Sequence, residues 1–346
     1  MRAKLAAATL AAGLILLAGV AIGSVFIPPG EILQIIGSRV FGSELPSGID
    51  PNFSPILWNL RLPRVLLAFI AGAALSVSGA VMQSVLRNPL ASSYTIGVSS
   101  GASLGAAIII FFGAGLPLYG LARDFALPIV GFAFGMGTIV LVLAFARRVD
   151  SAMQTGTLIL TGMVFSLFVS ALTTLLSALA REYIQRLVLW QMGSFAMRDW
   201  RPVLILLPIA LMGVAFALYH SRELDIMTFG EEPARAMGVN LARVKWAMLI
   251  MGAALTGSVV AFVGVIGFVD LVAPHIVRKL FGASHRYVIP MSAVVGGGFM
   301  VVCDLVARTV VSPGELPVGA VTAIIGGPFF AYIYLSGRRG GVGLKG

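Results

Sequence analysis

The chain has 346 residues, 58% of them hydrophobic and 11% charged, against roughly 25% charged in a soluble domain; this excludes an ordinary soluble globule and reads as a polytopic membrane protein. A net charge of +10 would suggest nucleic acid in a soluble chain, but the basic residues stand at the ends of apolar segments, which is a topology pattern and argues against a nucleic-acid partner. The single cysteine, Cys303, excludes an internal disulfide.

Met1 to Ser24 places basic Arg2 and Lys4 before an apolar stretch, so it resembles a secretory signal. Retained as a first helix or removed, it puts the amino terminus inside. Pro28 to Pro55 reads as a polar loop. The following apolar segments are Ile56 to Leu86, Tyr94 to Phe112, Phe125 to Ala146, Thr157 to Leu179, Pro202 to Tyr219, Trp246 to Phe268, Leu271 to Phe281, Val288 to Val311 and Val318 to Leu335. With the first, that makes ten, and the eighth is too short to span at 1.5 Å per residue. The whole chain is therefore expected to be one all-α membrane domain.

In this arrangement fifteen Lys and Arg lie inside and nine, all arginine, outside. The bias puts both termini and the stretch Ser221 to Lys245 on the cytoplasmic side. That stretch carries Arg222, Glu223, Asp225, Glu231, Glu232, Arg235, Arg243 and Lys245, the longest run that cannot sit in hydrocarbon. Within it Gly230 to Gly238 reads as a short helix, with acids and Pro233 in the first turn and a glycine at each end. A small charged helix on one face of a membrane protein is a handle for a partner.

Arg61 and Arg64 share a helical face at the outer end of the second segment. They either snorkel to lipid headgroups or dock an acidic partner. Asp304 and Arg308, four apart, are placed for an intrahelical ion pair. His275, His220 and His285 have no metal-ligand spacing around them. No phosphate-binding Gly-x-x-x-x-Gly-Lys-Ser/Thr is present, so the chain does not cradle ATP in such a loop. Asp270 and Asp304 are the carboxylates within apolar segments, too few for an obvious proton relay. A secondary transporter or channel working alone, and a membrane scaffold, stay open as rival classes.

Several stretches together resemble the FecCD family, the membrane permeases of binding-protein-dependent ABC importers for ferric siderophores, haem and cobalamin. They are Arg61-Leu62-Pro63-Arg64, SGAVMQSVLRNPLASSYTIGVSSGASLG from Ser78 to Gly105, and Trp190 to Ser194. Gly230-Glu231 with Ala234-Arg235 and Gly238 follows, then Gly267-Phe268 with Ala273-Pro274-His275, Asp304 with Ala307-Arg308, and GELPVGAVTAIIGGPFF from Gly314 to Phe330. The resemblance implies a BtuC-like type II permease of about ten transmembrane helices in the cytoplasmic membrane. It would pair with a second copy or a homologous permease, with a separate ATP-binding subunit and with a periplasmic or lipid-anchored solute-binding protein. It implies no cofactor or metal in this chain and no enzymatic activity of its own. Glu231, Ala234, Arg235 and Gly238 match the helix that couples to the ATPase, and Arg61, Arg64 and Arg308 match arginines that meet the binding protein. Thr155 falls where the family narrows its inner exit, and Met163, Phe165 and Phe168 would line the path. A ferric siderophore is the first expected cargo, haem the next, cobalamin the alternative.

Overall fold

The structure is a computed structural model that describes residues 1–23, 25–43, 48–113, 121–150 and 153–339, and among them every regular element is helical. Ser24, at the end of the first predicted segment, and Lys345, counted among the inward basic residues, lie outside these residues.

The chain opens with α1 (Arg2–Ala21) and α2 (Pro29–Phe41). The loop expected from Pro28 to Pro55 is thus helical over half its length. Pro29 sits at the first helical position, where a missing N–H costs nothing, and Gly42 ends the helix in the left-handed region at φ 68°. Ile32 and Ile35 are the buried stripe that holds α2 down. The expectation failed because the amphipathic pattern is shorter than a span and bracketed by prolines.

Next comes a 33-residue helical run, Phe53–Val85, made of α3 (Phe53–Ile56), a π-helical turn over Leu57–Arg61 and α4 (Leu62–Val85). The wider turn re-aims the side chains at the start of α4 and brings Arg61 inward. From Ile70 to Val85 every residue of α4 is buried, so α4 is the axis of the bundle. Its closest neighbour meets it at glycines: a Cβ on Gly72 would lie 2.5 Å from Met300 Cβ and closer still to the Gly296 carbonyl. Small residues at both positions let two backbones pack without a hydrophobic driving force.

α5 (Val98–Phe112) starts four residues later than the apolar pattern at Tyr94. The intervening loop bonds to itself. Asn88 Oδ1 accepts from Leu90 N (2.9 Å), Ser92 Oγ from Tyr94 N (3.0 Å), and Thr95 Oγ1 donates to the Ser92 carbonyl (2.7 Å). Such side-chain bonds offer the backbone an alternative to helix, and with Ser92, Ser93 and Ile96 buried the loop lies within protein, where irregular backbone is tolerated.

The rest of the chain forms α6 (Leu121–Val149), α7 (Thr155–Leu179), α8 (Ile184–Gln191), α9 (Trp200–Tyr219), α10 (Ser221–Met227), α11 (Glu231–Ala236), α12 (Leu241–Val263), α13 (Val269–Phe281), α14 (His285–Thr309) and α15 (Val318–Arg339). α8 is a second short helix that the apolar pattern did not announce. Among the described residues seven helices are long and apolar enough to cross a membrane, with Val98–Phe112 and Val318–Tyr332 as shorter apolar helices. α13, with 13 residues, is the eighth predicted segment and is as short as expected. Each of the ten predicted segments overlaps a helix. Lys4 Nζ donates to the Leu280 carbonyl (3.3 Å) and Ser284 Oγ to Asp225 (3.1 Å), so the amino terminus and α10 share one end of the bundle. α1's carboxyl end and the arginines lie at the other.

Candidate functional site

The candidate residues fall in three places. At the end carrying α10 and α11, the short helix forms as the Gly-bounded pattern predicts. Gly230 enters at φ 126° and Gly238 leaves at φ 87°, donating to the Arg235 carbonyl (2.9 Å). The four residues expected to meet a partner divide by direction. Ala234 is fully buried and Glu231 turns inward to Lys245 Nζ at 2.7 Å, whereas Arg235 and Gly238 stay exposed. The outward surface also holds Phe229 and Met237, 75% and 64% exposed. Sequence reasoning passed over these two, although an aromatic and a methionine beside a charged helix are the usual anchors of an interface.

Two polar junctions fasten this handle. Asp225 on α10 accepts from the backbone N–H of His285 (2.8 Å) and from its Nδ1 (2.6 Å), and His285 Nε2 lies 2.6 Å from Ser84 Oγ at the end of α4. Arg278 of α13 joins the same serine (3.1 Å) and the Ala80 carbonyl (3.0 Å). Lys245 of α12 makes the other junction. Its side chain is 1% exposed and donates both to Glu231 and to the Met153 carbonyl (2.9 Å), two residues ahead of Thr155. Thr155, the expected narrowing, is the first residue of α7 and only half-buried.

Along α7 the structure separates the three expected lining residues. Phe165 packs edge-on against Phe145 of α6 (5.9 Å between centroids) and is taken up by the bundle. Met163 and Phe168 are 46% and 61% exposed but point about 140° apart at 100° per residue. Seven and fourteen residues beyond Met163, on nearly the same face, stand Ser170 and Ser177. With Thr174 and Ser99, Ser100 and Ser103 of α5 they line a hollow of about 550 Å3, closed by Leu187 and Gln191 of α8. None of the three expected residues lines it. The signal that could have found it was there: serines and threonines at heptad spacing on a 25-residue apolar helix.

Three hydroxyls of this wall have a fixed polarity. Thr173 donates to the Val169 carbonyl (3.0 Å), Thr174 to Ser170 (3.0 Å) and Ser177 to Thr173 (2.8 Å). Each therefore keeps its lone pairs for whatever enters. Among the described residues, no charged side chain lines the hollow.

At the opposite end the three arginines spend most of their donors within the chain. Arg61, 5% exposed, donates to the carbonyls of Val20 (2.9 Å), Ala21 (2.8 Å) and Val25, closing the carboxyl end of α1. Arg64 forks onto Asp304 (2.8 Å) and reaches Glu315 (2.7 Å). Arg308 donates to the Gly19 carbonyl, and its Nε is 3.6 Å from Asp304. The expected intrahelical pair exists, but the shorter partner of Asp304 is Arg64, from another helix. Arg61, Arg64, Arg198 and Arg308 still line a common cavity of about 350 Å3 in which Glu315 is the acid. Burial lowers the pKa of the Arg198 guanidinium, opposed by Asp199.

Comparison with known proteins adds the lineage. The profile of the FecCD transport family matches residues 10–336. An ABC transporter permease protein, YvrB, of Bacillus subtilis (strain 168) is 44% identical over 323 residues, 93% of this chain and 90% of its own. The molybdate import system permease protein MolB of Haemophilus influenzae is 36% identical over 314 residues, covering 90% and 89%. A solved inward-facing conformation of a metal-chelate type ABC transporter superposes with a TM-score of 0.83 at 32% identity, over 97% of this chain and 100% of that one.

Proposed function

The chain belongs to the FecCD transport family, and we propose that it is the permease of an importer for iron complexes, ferric siderophores first and haem next. It is an ABC importer permease of the cytoplasmic membrane, a transport subunit whose ATPase is a separate chain. The import systems its relatives are named for include molybdate, hemin, Fe(3+)-citrate and cobalamin, so the family alone does not select a cargo.

The observation that carries the reading is the uncharged, hydroxyl-lined hollow on α7. Ser170 and Thr174 are exposed in the second half of α7, and although Thr174 donates to the Ser170 carbonyl, lipid contact would leave the lone pairs of both oxygens unused. A water-filled path shared with a second permease copy satisfies them. Hydroxyls without fixed charge suit a large, hydrogen-bonding chelate that must bind and leave. Met163 continues this stripe towards Thr155 and the inner exit. With the basic bias inside, both termini and α11 face the cytoplasm, where Phe229, Arg235 and Met237 meet the ATPase.

The arginine cavity faces outward in this orientation and receives an acidic side chain of the solute-binding protein. Arg64 and Arg308 border it while anchored by Asp304, and Arg61 acts mainly by holding α1 against the rim. Long-range attraction there sets encounter rate and orientation more than affinity.

Filling the hollow tests the path. Ser170→Leu with Thr174→Leu is expected to cut uptake of ferric hydroxamate siderophore about tenfold or more in proteoliposomes of the complete importer, while ATP hydrolysis continues. A rise of about 1.4 kcal/mol in barrier height suffices for tenfold. Unchanged uptake would place the path elsewhere. The rival reading, a secondary transporter working alone, predicts uptake without ATP.

A further inference from the structure

The handle and the inner exit are connected by one buried cation. Glu231 opens α11, Met153 precedes α7, and the two are far apart in sequence and on different elements. Lys245 touches both: its Nζ is 2.7 Å from Glu231 Oε1 and 2.9 Å from the Met153 carbonyl. The lysine is almost completely enclosed, so neither bond is exchanged readily for water. The segment it holds is shaped around it. Met153 is itself buried and adopts φ 51°, a left-handed conformation that a side chain such as methionine adopts only where its surroundings impose it. Gln154 N donates to Asp150 Oδ2 (2.8 Å), and two residues beyond Met153 α7 begins.

Resting on the transport reading above, we propose that Lys245 is the positioning residue that carries displacement of α11 into the first turn of α7. A shift of α11 moves Glu231. Because the ion pair is short and its lysine is buried, Lys245 follows or is left without its carboxylate at high cost, and the Met153 carbonyl is drawn with it. Thr155 then changes its exposure at the inner exit. The Asp225–His285 junction has the complementary part. It ties α10 to α14 and, through Ser84, to the buried axis α4, giving α11 a fixed point about which to turn. α11 is thus hinged on one side and linked to the exit on the other.

The test needs no cargo. Thr155→Cys in the complete complex, reconstituted with its ATPase, is labelled by a membrane-impermeant maleimide before and after trapping with ATP and vanadate. Native Cys303 is fully buried and gives the blank. The expected result is a change in labelling rate of about fivefold or more on trapping, abolished by Lys245→Met and by Glu231→Gln, with trapped nucleotide measured in parallel for normalisation. The two substitutions together should do no more than either alone, since they remove one connection. Glu231→Gln leaves the Met153 bond and the lysine in place, so it decides the matter if Lys245→Met does not fold. Retention of the response in Glu231→Gln and Lys245→Met overturns the proposal, as does a Thr155→Cys site that never responds, or failure of both variants to assemble, which would make Lys245 a support of the fold alone. Failure of the unaltered chain to bind any ATPase would instead overturn the transport reading.

Discussion

Asp304→Ala is expected to cost about 3–5 kcal/mol of stability, the range for removing one partner of a buried ion cluster. Asp304 is completely buried between Arg64, bonded through two nitrogens, and Arg308. Its removal leaves two largely buried guanidinium groups facing each other without the carboxylate between them. Glu315 also pairs with Arg64, but its side chain is 38% exposed, so Glu315→Ala should cost no more than about 1 kcal/mol. Thermal unfolding in detergent, followed by the amount of monodisperse protein, compares the two. Partial recovery is expected when Arg64 and Arg308 are replaced by Met in the Asp304→Leu background, because a well-packed apolar cluster avoids the desolvation cost. Equal losses from Asp304 and Glu315 would show that the cluster is solvated and that the arginines are not held from within.

The second large effect is expected at the handle. Deleting α11 outright would strand the buried Lys245, so the informative change removes only the outward surface. Phe229→Ala with Met237→Ala touches two side chains that lie mostly in solvent and should leave folding unchanged. If these are the anchors of the ATPase interface, their truncation costs about 2 kcal/mol or more, roughly a thirtyfold weaker association. Titration of the ATPase against the reconstituted permease reads this directly, and uptake falls with occupancy. Affinity unchanged within twofold would move the interface off α11.

Much of the architecture was readable from the chain because it depends on local pattern. Apolar length located every spanning helix, and Gly230, Pro233 and Gly238 marked α11. What escaped depends on contacts between distant residues. The bonds of Arg61 to Val20 and of Arg64 to Asp304 join positions 41 and 240 residues apart, and no spacing rule distinguishes such an arginine from one awaiting a partner. Lys245 was counted only as an inward charge, since nothing in its neighbours announces Met153. The start of α5 was misplaced because Ser92 and Thr95, neutral in an apolar scan, bind the backbone and prevent helix. The lining of α7 was sought in large apolar residues, while the hollow is made by Ser170, Thr174 and Ser177, whose heptad spacing was visible. α2 and α8 were absorbed into loops because each is too short for a span.

The measurement that bears most directly on the account is uptake by proteoliposomes containing this chain, a matching ATPase and a loaded solute-binding protein, with ATP enclosed on the α11 side. Accumulation of the ferric complex that requires all three proteins and ATP, and that stops when the ATPase is omitted, is the predicted result. Accumulation driven by the permease alone, with ATP absent, would contradict it.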